Sequence, residues 1–340
     1  MSPLLRFDCS VLATDLRIGA RTWRNQESFC GPTATRFVAW FYRSAKRPIF
    51  RNPFRNTIGQ ATFFIMTINA ILKRLVLTTP QPQPMAEFYQ RAFGYRPAQV
   101  GADQHCEAQD RSLWLRNGPG NQLAEAHFMF PHTDAFASYE DRLASAGVPY
   151  AIDSRSQSIA ATDPEGRTLR FFVSTANAGS HEAAVGSPPP ARIQHFALRS
   201  PDIPRLLRFY VEGLGFVVSD LVLDAEGAIT AAFLRTDAEH HSLALFRAAT
   251  PLFDHFSCEA PDWTALRDWA DHMGRNAIEV VWGIGRHGPG NDTFFMVRDP
   301  DGNLAEISSD LEVCAEDRPA GQWPHQMTTL NLWGLAIMRS

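Results

Sequence analysis

The sequence predicts an α+β chain of two tandem modules, each a pair of βαβββ repeats forming a cupped, mostly antiparallel sheet. Three observations predict it. First, LVLTTPQPQPMAEFYQRAFGY from Leu75 and FALRSPDIPRLLRFYVEGLGF from Phe196 align at an offset of 121, with Pro80 on Pro201, Phe88-Tyr89 on Phe209-Tyr210 and Gly94 on Gly215. Second, ATDPEGRTLRFF aligns with VRDPDGNLAEIS at an offset of 136, which puts Asp163-Pro164 on Asp299-Pro300 and Gly166 on Gly302. Third, the two copies are separated by GSHEAAVGSPPPA, whose Gly, Ser and Pro content reads as an exposed linker.

The elements follow in order. Residues 1–65 carry ten Lys/Arg and three acids, a charge of +7, which leaves −11 for residues 66–340. Their aromatic, arginine-rich texture has neither clean helical nor strand periodicity. They read as a targeting segment, as an accessory element, or as an extension upstream of a start at Met66. No chemistry is assigned to them. Module one spans 68–176, the linker 177–190, module two 191–312, and a Pro-containing tail, expected to lie as an arm over module two, 313–340. Within the modules, helices are expected at 84–93, 135–146, 204–213 and 262–273, between strand-like runs such as LALF and TLRFFV. DPEG and DPDG are turn signals between strands. AHFMFPHTD is set against DHFSCEAPD at an offset of 128, pairing His127 with His255 and Asp134 with Asp262.

Composition bounds the function. A chain of 340 residues suits two domains, and 45% hydrophobic with 20% charged residues suits a globular protein rather than a disordered one. A net charge of −4 offers no footprint for nucleic acid. Five scattered cysteines without a CxxC argue against a disulfide framework or structural zinc and for a reducing cytoplasm. No apolar run of about 18 residues is present, so a spanning helix is not expected.

The paired βαβββ layout resembles the vicinal oxygen chelate superfamily, which includes glyoxalase I, fosfomycin- and bleomycin-resistance proteins and the type I extradiol dioxygenases. The resemblance covers about 245 residues and is nearest to the extradiol, catechol 2,3-dioxygenase-like ring-cleaving enzymes. It implies metal ligands on concave strand positions of module two: His195 in RIQHFAL, His255 in FDHFS and Glu306 in GNLAEIS. Two imidazoles and a carboxylate with open positions are the facial triad of non-haem Fe(II) oxygenases. The matching module-one positions read as Arg74, His127 and Arg170, and arginine cannot ligate a dication. Module one is therefore expected to be structural.

The resemblance also implies roles around the metal. His287 in GRHGPGN matches a histidine that hydrogen-bonds the bound diol, and His241 in EHHSLALF matches the acid/base histidine, although His240-His241 also reads as a polar hairpin end. Asn291 after the glycine turn reads as a loop cap or ligand contact. Two departures stand out. Met296 occupies the position ten residues before the carboxylate where these enzymes carry a substrate-contacting tyrosine. Trp282 stands where members acting on carboxylated catechols can place an arginine, which favours an apolar substituent.

The activity so implied is aromatic diol ring cleavage with O₂, as an oxidoreductase of aromatic hydrocarbon catabolism. Fe(2+) is the expected cofactor, with Mn(2+) the alternative, and a cytoplasmic homo-oligomer is expected, without nucleic acid or membrane partners. Two other readings stay open: a glyoxalase-like isomerase or transferase, and a metal-free binding or resistance protein.

Overall fold

The computed structural model describes residues 67–173 and 188–337. The expectations for residues 1–65 and for most of the linker lie outside the described residues. The first sheet is built from β1 (Ile71–Thr79), α1 (Pro82–Phe93), β2 (Arg96–Val100), β3 (Asp103–Ala108) and β4 (Arg111–Asn117), then β5 (Gln122–Phe130), α2 (Thr133–Ser145), β6 (Tyr150–Asp153), β7 (Ser158–Thr162) and β8 (Thr168–Val173). The second repeats the plan with β9 (Arg192–Ser200), α3 (Ile203–Leu207), a π-helical turn (Arg208–Gly213), β10 (Val217–Leu223), β11 (Ile229–Arg235) and β12 (Leu243–Arg247). It continues with β13 (Leu252–Glu259), α4 (Trp263–Arg275), β14 (Val280–Arg286), β15 (Thr293–Arg298) and β16 (Leu304–Ser309). Each sheet is thus two βαβββ units joined edge to edge, as the internal repeat predicts.

Local chemistry explains the helices. Pro82 and Pro204 start α1 and α3, where a missing N–H costs nothing. Asp202 and Asp262 accept from Arg205 and Ala265 N–H to cap α3 and α4. Gly94 ends α1 at φ 66, a left-handed conformation that glycine adopts without strain.

Strand order in the second sheet is β14-β15-β16-β13-β9-β12-β11-β10, with an edge strand from the tail, β17 (Gly321–Pro324), beside β10. Strand alternation sends Phe196, Leu198, Phe256 and Ile307 into the main core and leaves His195, His255 and Glu306 on the other, concave face. That main core is shared with the first sheet: Phe128 meets Phe196 and Phe93 meets Phe256, with ring centroids 6.3 and 5.8 Å apart. Two buried hydrogen bonds cross between the modules reciprocally. Tyr89 Oη donates to Asp299 Oδ2 at 2.8 Å, and Tyr210 Oη donates to Asp163 Oδ2 at 3.1 Å. The helix of each module is therefore tied to the Asp-Pro turn of the other.

Two expectations change. The tail contributes more than a covering arm: β17 (Gly321–Pro324) joins the sheet edge in parallel with β10, and α5 (Met327–Leu330) follows it. The pairing of His127 with His255 is corrected by register. Arg74 lies opposite His127, whereas His195 lies opposite Ser257; His255 pairs with Ala197 as Glu125 pairs with Val76. Helix α2 begins after His132 and α4 after Asp262, which confirms an offset of 130 in this segment. Glu125, not His127, is the counterpart of His255, and Asp134 sits inside the first turn of α2 rather than at its cap. A slip of two residues keeps every side chain on its face, so the hydrophobic pattern could not reveal it.

Candidate metal centre and active site

The three proposed ligands come from the adjacent central strands β16, β13 and β9. Ser257 of β13 lies directly between His195 and Glu306 in the ladder, and His255 projects from the same face two residues earlier. A bulge at Gln194 interrupts the β9–β13 register beside His195, a common device for re-aiming a side chain at a site.

His195 Nε2 lies 3.2 Å from His255 Nε2 and 3.6 Å from Glu306 Oε1. The candidate ligand atoms of the three residues lie within 4.8 Å of one another, and all three side chains are buried. A cation suits this arrangement on two grounds. Neither carboxylate oxygen of Glu306, wholly buried at 0% exposure, makes an aligned hydrogen bond; His195 and His287 Nε2 stand 3.6 and 3.5 Å away, and a cation between them would satisfy the carboxylate. Both imidazoles are also oriented from behind: Gln194 Oε1 contacts His195 Nδ1, and Asp254 Oδ1 lies 2.6 Å from His255 Nδ1. Such acceptors hold the proton on Nδ1 and turn Nε2 toward the centre. Burial pulls the His195 pKa down to about 3, so the ring is neutral, as a ligand must be.

Beside the triad is a small, mostly apolar-lined cavity. Phe233, Phe246, Trp282, Met296 and Leu330 form its apolar walls, and His241 and His287 reach it with His195 and His255. Met296 is the direct cross-strand neighbour of Glu306. Trp282 packs on Phe294 with centroids 4.7 Å apart and donates its indole N–H to Leu335 O. The His287 ring stacks on Phe294 at 3.8 Å; its Nδ1–H donates to Leu330 O, and its Nε2 lies 3.5 Å from Glu306 Oε2. Burial would lower the pKa of His287, but Asp292 and Glu306 outweigh it and raise the value.

Asn291 is exposed at φ 58 and its carbonyl accepts from Arg286; it holds the loop and does not line the cavity. That placement gives no support to substrate contact at Asn291. Sequence reasoning missed Leu330, which arrives on the tail helix, and Asp292, a wholly buried carboxylate whose oxygens have no hydrogen-bond partner. Burial raises the Asp292 pKa. A tail helix of four residues gives no periodic signal, and Asp292 reads as an ordinary turn residue.

In the first sheet the corresponding face is filled with charge. Glu125 Oε2 accepts from Arg170 Nε at 3.2 Å and lies 2.9 Å from His127 Nε2. Arg74 lies over the Trp114 ring at 4.1 Å and donates to Ser112. The three positions that read His, His, Glu in sheet two read Arg, Glu, Arg here.

Residues 192–307, which hold the two-histidine, one-carboxylate cluster, match the model of the Glyoxalase/Bleomycin resistance protein/Dioxygenase superfamily. The chain also resembles extradiol dioxygenases. It is 27% identical over 263 residues to metapyrocatechase 2 of Cupriavidus necator, covering 71% of this chain and 80% of the relative. It is 27% identical over 197 residues to biphenyl-2,3-diol 1,2-dioxygenase of Pseudomonas sp. strain KKS102, covering 51% and 66%. Among solved structures, the Mn(II)-bound glyoxalase from Novosphingobium aromaticivorans superposes with a TM-score of 0.68 at 20% identity, covering 80% of this chain and 93% of that one. Homoprotocatechuate 2,3-dioxygenase from Arthrobacter globiformis gives 0.66 at 22%, covering 80% and 90%. At these identities the structural likeness is one of fold. No described helix is long and apolar enough to cross a membrane.

Proposed function

We propose that the chain is a metal-dependent extradiol dioxygenase, cleaving the ring of an aromatic diol with O₂, with Fe(II) held by His195, His255 and Glu306. The observation that carries this reading is the wholly buried Glu306 carboxylate facing two imidazoles at the edge of an aromatic-lined cavity. When bound, Fe(II) would supply a site where the diol oxygens and O₂ meet in one coordination sphere.

The protein's own residues do the rest. Phe233, Phe246 and Trp282 exclude water and flank a planar ring. His241 reaches the cavity from the loop before β12 and would accept the proton of a diol hydroxyl at Nε2. His287, held by Leu330 O at Nδ1, turns Nε2 toward Glu306 and a bound diol oxygen. Among the described residues the cavity walls include no Lys or Arg, which supports a diol with an uncharged, apolar substituent over a carboxylated one.

The test is a panel of catechols on an oxygen electrode, using protein loaded anaerobically with Fe(II). Stoichiometric O₂ uptake with a yellow ring-opened product is expected. Met296, which lacks a hydroxyl, favours a second reading as an isomerase or transferase on the same metal. Metal binding without O₂ uptake on any catechol would select it.

A further inference from the structure

His240 precedes His241 in the loop between β11 and β12, and it does not line the cavity. It is wholly buried, an unusual place for a histidine with no reaction to perform. The backbone around the pair is pinned on both sides: His240 N–H donates to Glu312 O at 2.9 Å, and Gln194 Nε2 donates to His241 O at 2.7 Å. The two rings meet edge to face with Nδ1 facing Nδ1 at 3.0 Å. In such a contact one nitrogen must carry a proton and the other must be bare.

Asp220 decides which. Its Oδ2 lies 3.1 Å from His240 Nε2, short of an aligned hydrogen bond but within ion-pair distance. The same carboxylate accepts from Trp323 Nε1 at 2.7 Å, from Gly321 N at 3.0 Å and from Arg318 at 3.1 Å. These three donors around one buried carboxylate keep it ionised and acceptor-only, so a bare His240 Nε2 at 3.1 Å would face it lone pair to lone pair. His240 therefore places its proton on Nε2, toward Asp220, and its Nδ1 is left to accept.

We propose that Asp220 and His240 are positioning residues that fix the tautomer of His241, with its proton on Nδ1 directed at His240 and a bare Nε2 turned to the cavity. The tautomer stands on the contacts alone; its catalytic meaning rests on the dioxygenase reading. In that reading the diol O–H bond breaks, an Nε2–H bond forms on His241, and the imidazolium produced keeps its Nδ1–H paired to His240. Asp220 then acts through two rings, as a buried carboxylate orients a catalytic imidazole through one. Its three hydrogen-bond donors come from the tail, so the tail would tune the base without touching the substrate.

The experiment is ¹⁵N-histidine NMR on the full chain, as purified and after loading with diamagnetic Zn(II). His241 should be protonated at Nδ1 and bare at Nε2, with His240 protonated at Nε2. His240→Gln offers a carbonyl to His241 and an amide to Asp220, and should preserve the His241 signature. His240→Leu offers neither, and should lose it while retaining metal. With a catechol substrate, His240→Leu should lower kcat by about 10- to 100-fold with little change in KM, and His240→Gln should recover most of it. A His241 protonated at Nε2 in the wild type, or Leu and Gln variants with the same signature and the same kcat, would overturn the proposal. The expected signature with no turnover on any diol would uphold the tautomer and count against the dioxygenase reading alone.

Discussion

Glu125 in sheet one and His255 in sheet two hold the same register position, each two residues before the residue that faces the first-strand site. Where module two presents the His195 and His255 imidazoles to the proposed metal, module one presents a carboxylate to Arg170 and His127. The hydrogen bond from His127 chiefly lowers the Glu125 pKa, with Arg170 and Arg116 adding to it, to about 2 against the usual 4.5. A depressed carboxylate stabilises the fold above its unfolded pKa and ceases to do so as pH falls through the folded one. Glu125→Gln should therefore cost about 1–3 kcal/mol at pH 7 by urea unfolding, discounted for partial exposure. The difference from wild type should shrink between pH 4.5 and pH 2. A constant difference across that window would remove the electrostatic account.

The reciprocal tyrosines give unequal outcomes. At Oδ2, Asp163 keeps an ion pair to Arg167 at 3.0 Å when Tyr210 is lost, whereas Asp299 keeps the neutral Asn303 amide at 2.9 Å when Tyr89 is lost; the Oδ1 of each keeps two backbone N–H donors. Tyr89→Phe should then destabilise by about 1–3 kcal/mol and Tyr210→Phe by less, since a buried carboxylate left without a cationic partner is the costlier one. Thermal midpoints of the two variants check the order, and the reverse order would contradict it.

The metal assignment separates the modules. His255→Ala should remove most bound divalent metal, because two remaining ligands make a weak site, while His127→Ala should leave metal content unchanged. Metal analysis after anaerobic loading and desalting reads both. Equal losses would transfer the site away from sheet two.

Leu330 reaches the cavity from α5, and its carbonyl also fixes His287. Leu330→Ala keeps that carbonyl and removes only apolar wall. KM for a catechol with an apolar substituent should rise about tenfold, from roughly 1–2 kcal/mol of lost contact, while unsubstituted catechol changes little. Equal effects on both substrates would place the substituent elsewhere.

Much of this site is legible in the sequence because repetition supplies its own control. His195 and Glu306 stand against Arg74 and Arg170 at offsets that the aligned prolines, glycines and turns determine. The third position was misread because the His-Phe dipeptides of Ala126–Phe128 and Asp254–Phe256 match by identity, while strand pairing depends on spacing. Leu330 and the Asp220–His240 contact were illegible for a different reason. They depend on the tail pairing with β10, a long-range choice that no local pattern in GQWP announces.

Met296 stands across the ladder from Glu306 on the cavity wall, where a hydroxyl would face the diol. Methionine fills that space with apolar surface and donates nothing. If the chain cleaves catechols, the missing hydrogen bond should cost rate rather than metal. A single substrate-contacting hydrogen bond is worth about 1–3 kcal/mol, or roughly tenfold to a hundredfold. Met296→Tyr should restore a donor, with some packing cost because the wholly buried side chain becomes larger and stiffer. Faster ring cleavage of simple catechols is expected at unchanged Fe(II) content, followed by the absorbance of the ring-opened product. Slower cleavage at unchanged metal content would mean that the cavity has adapted to methionine's shape. If wild type and Met296→Tyr both hold Fe(II) yet neither consumes O₂ with any catechol, the oxygenase reading falls, and the same three ligands must serve an isomerase or a transferase.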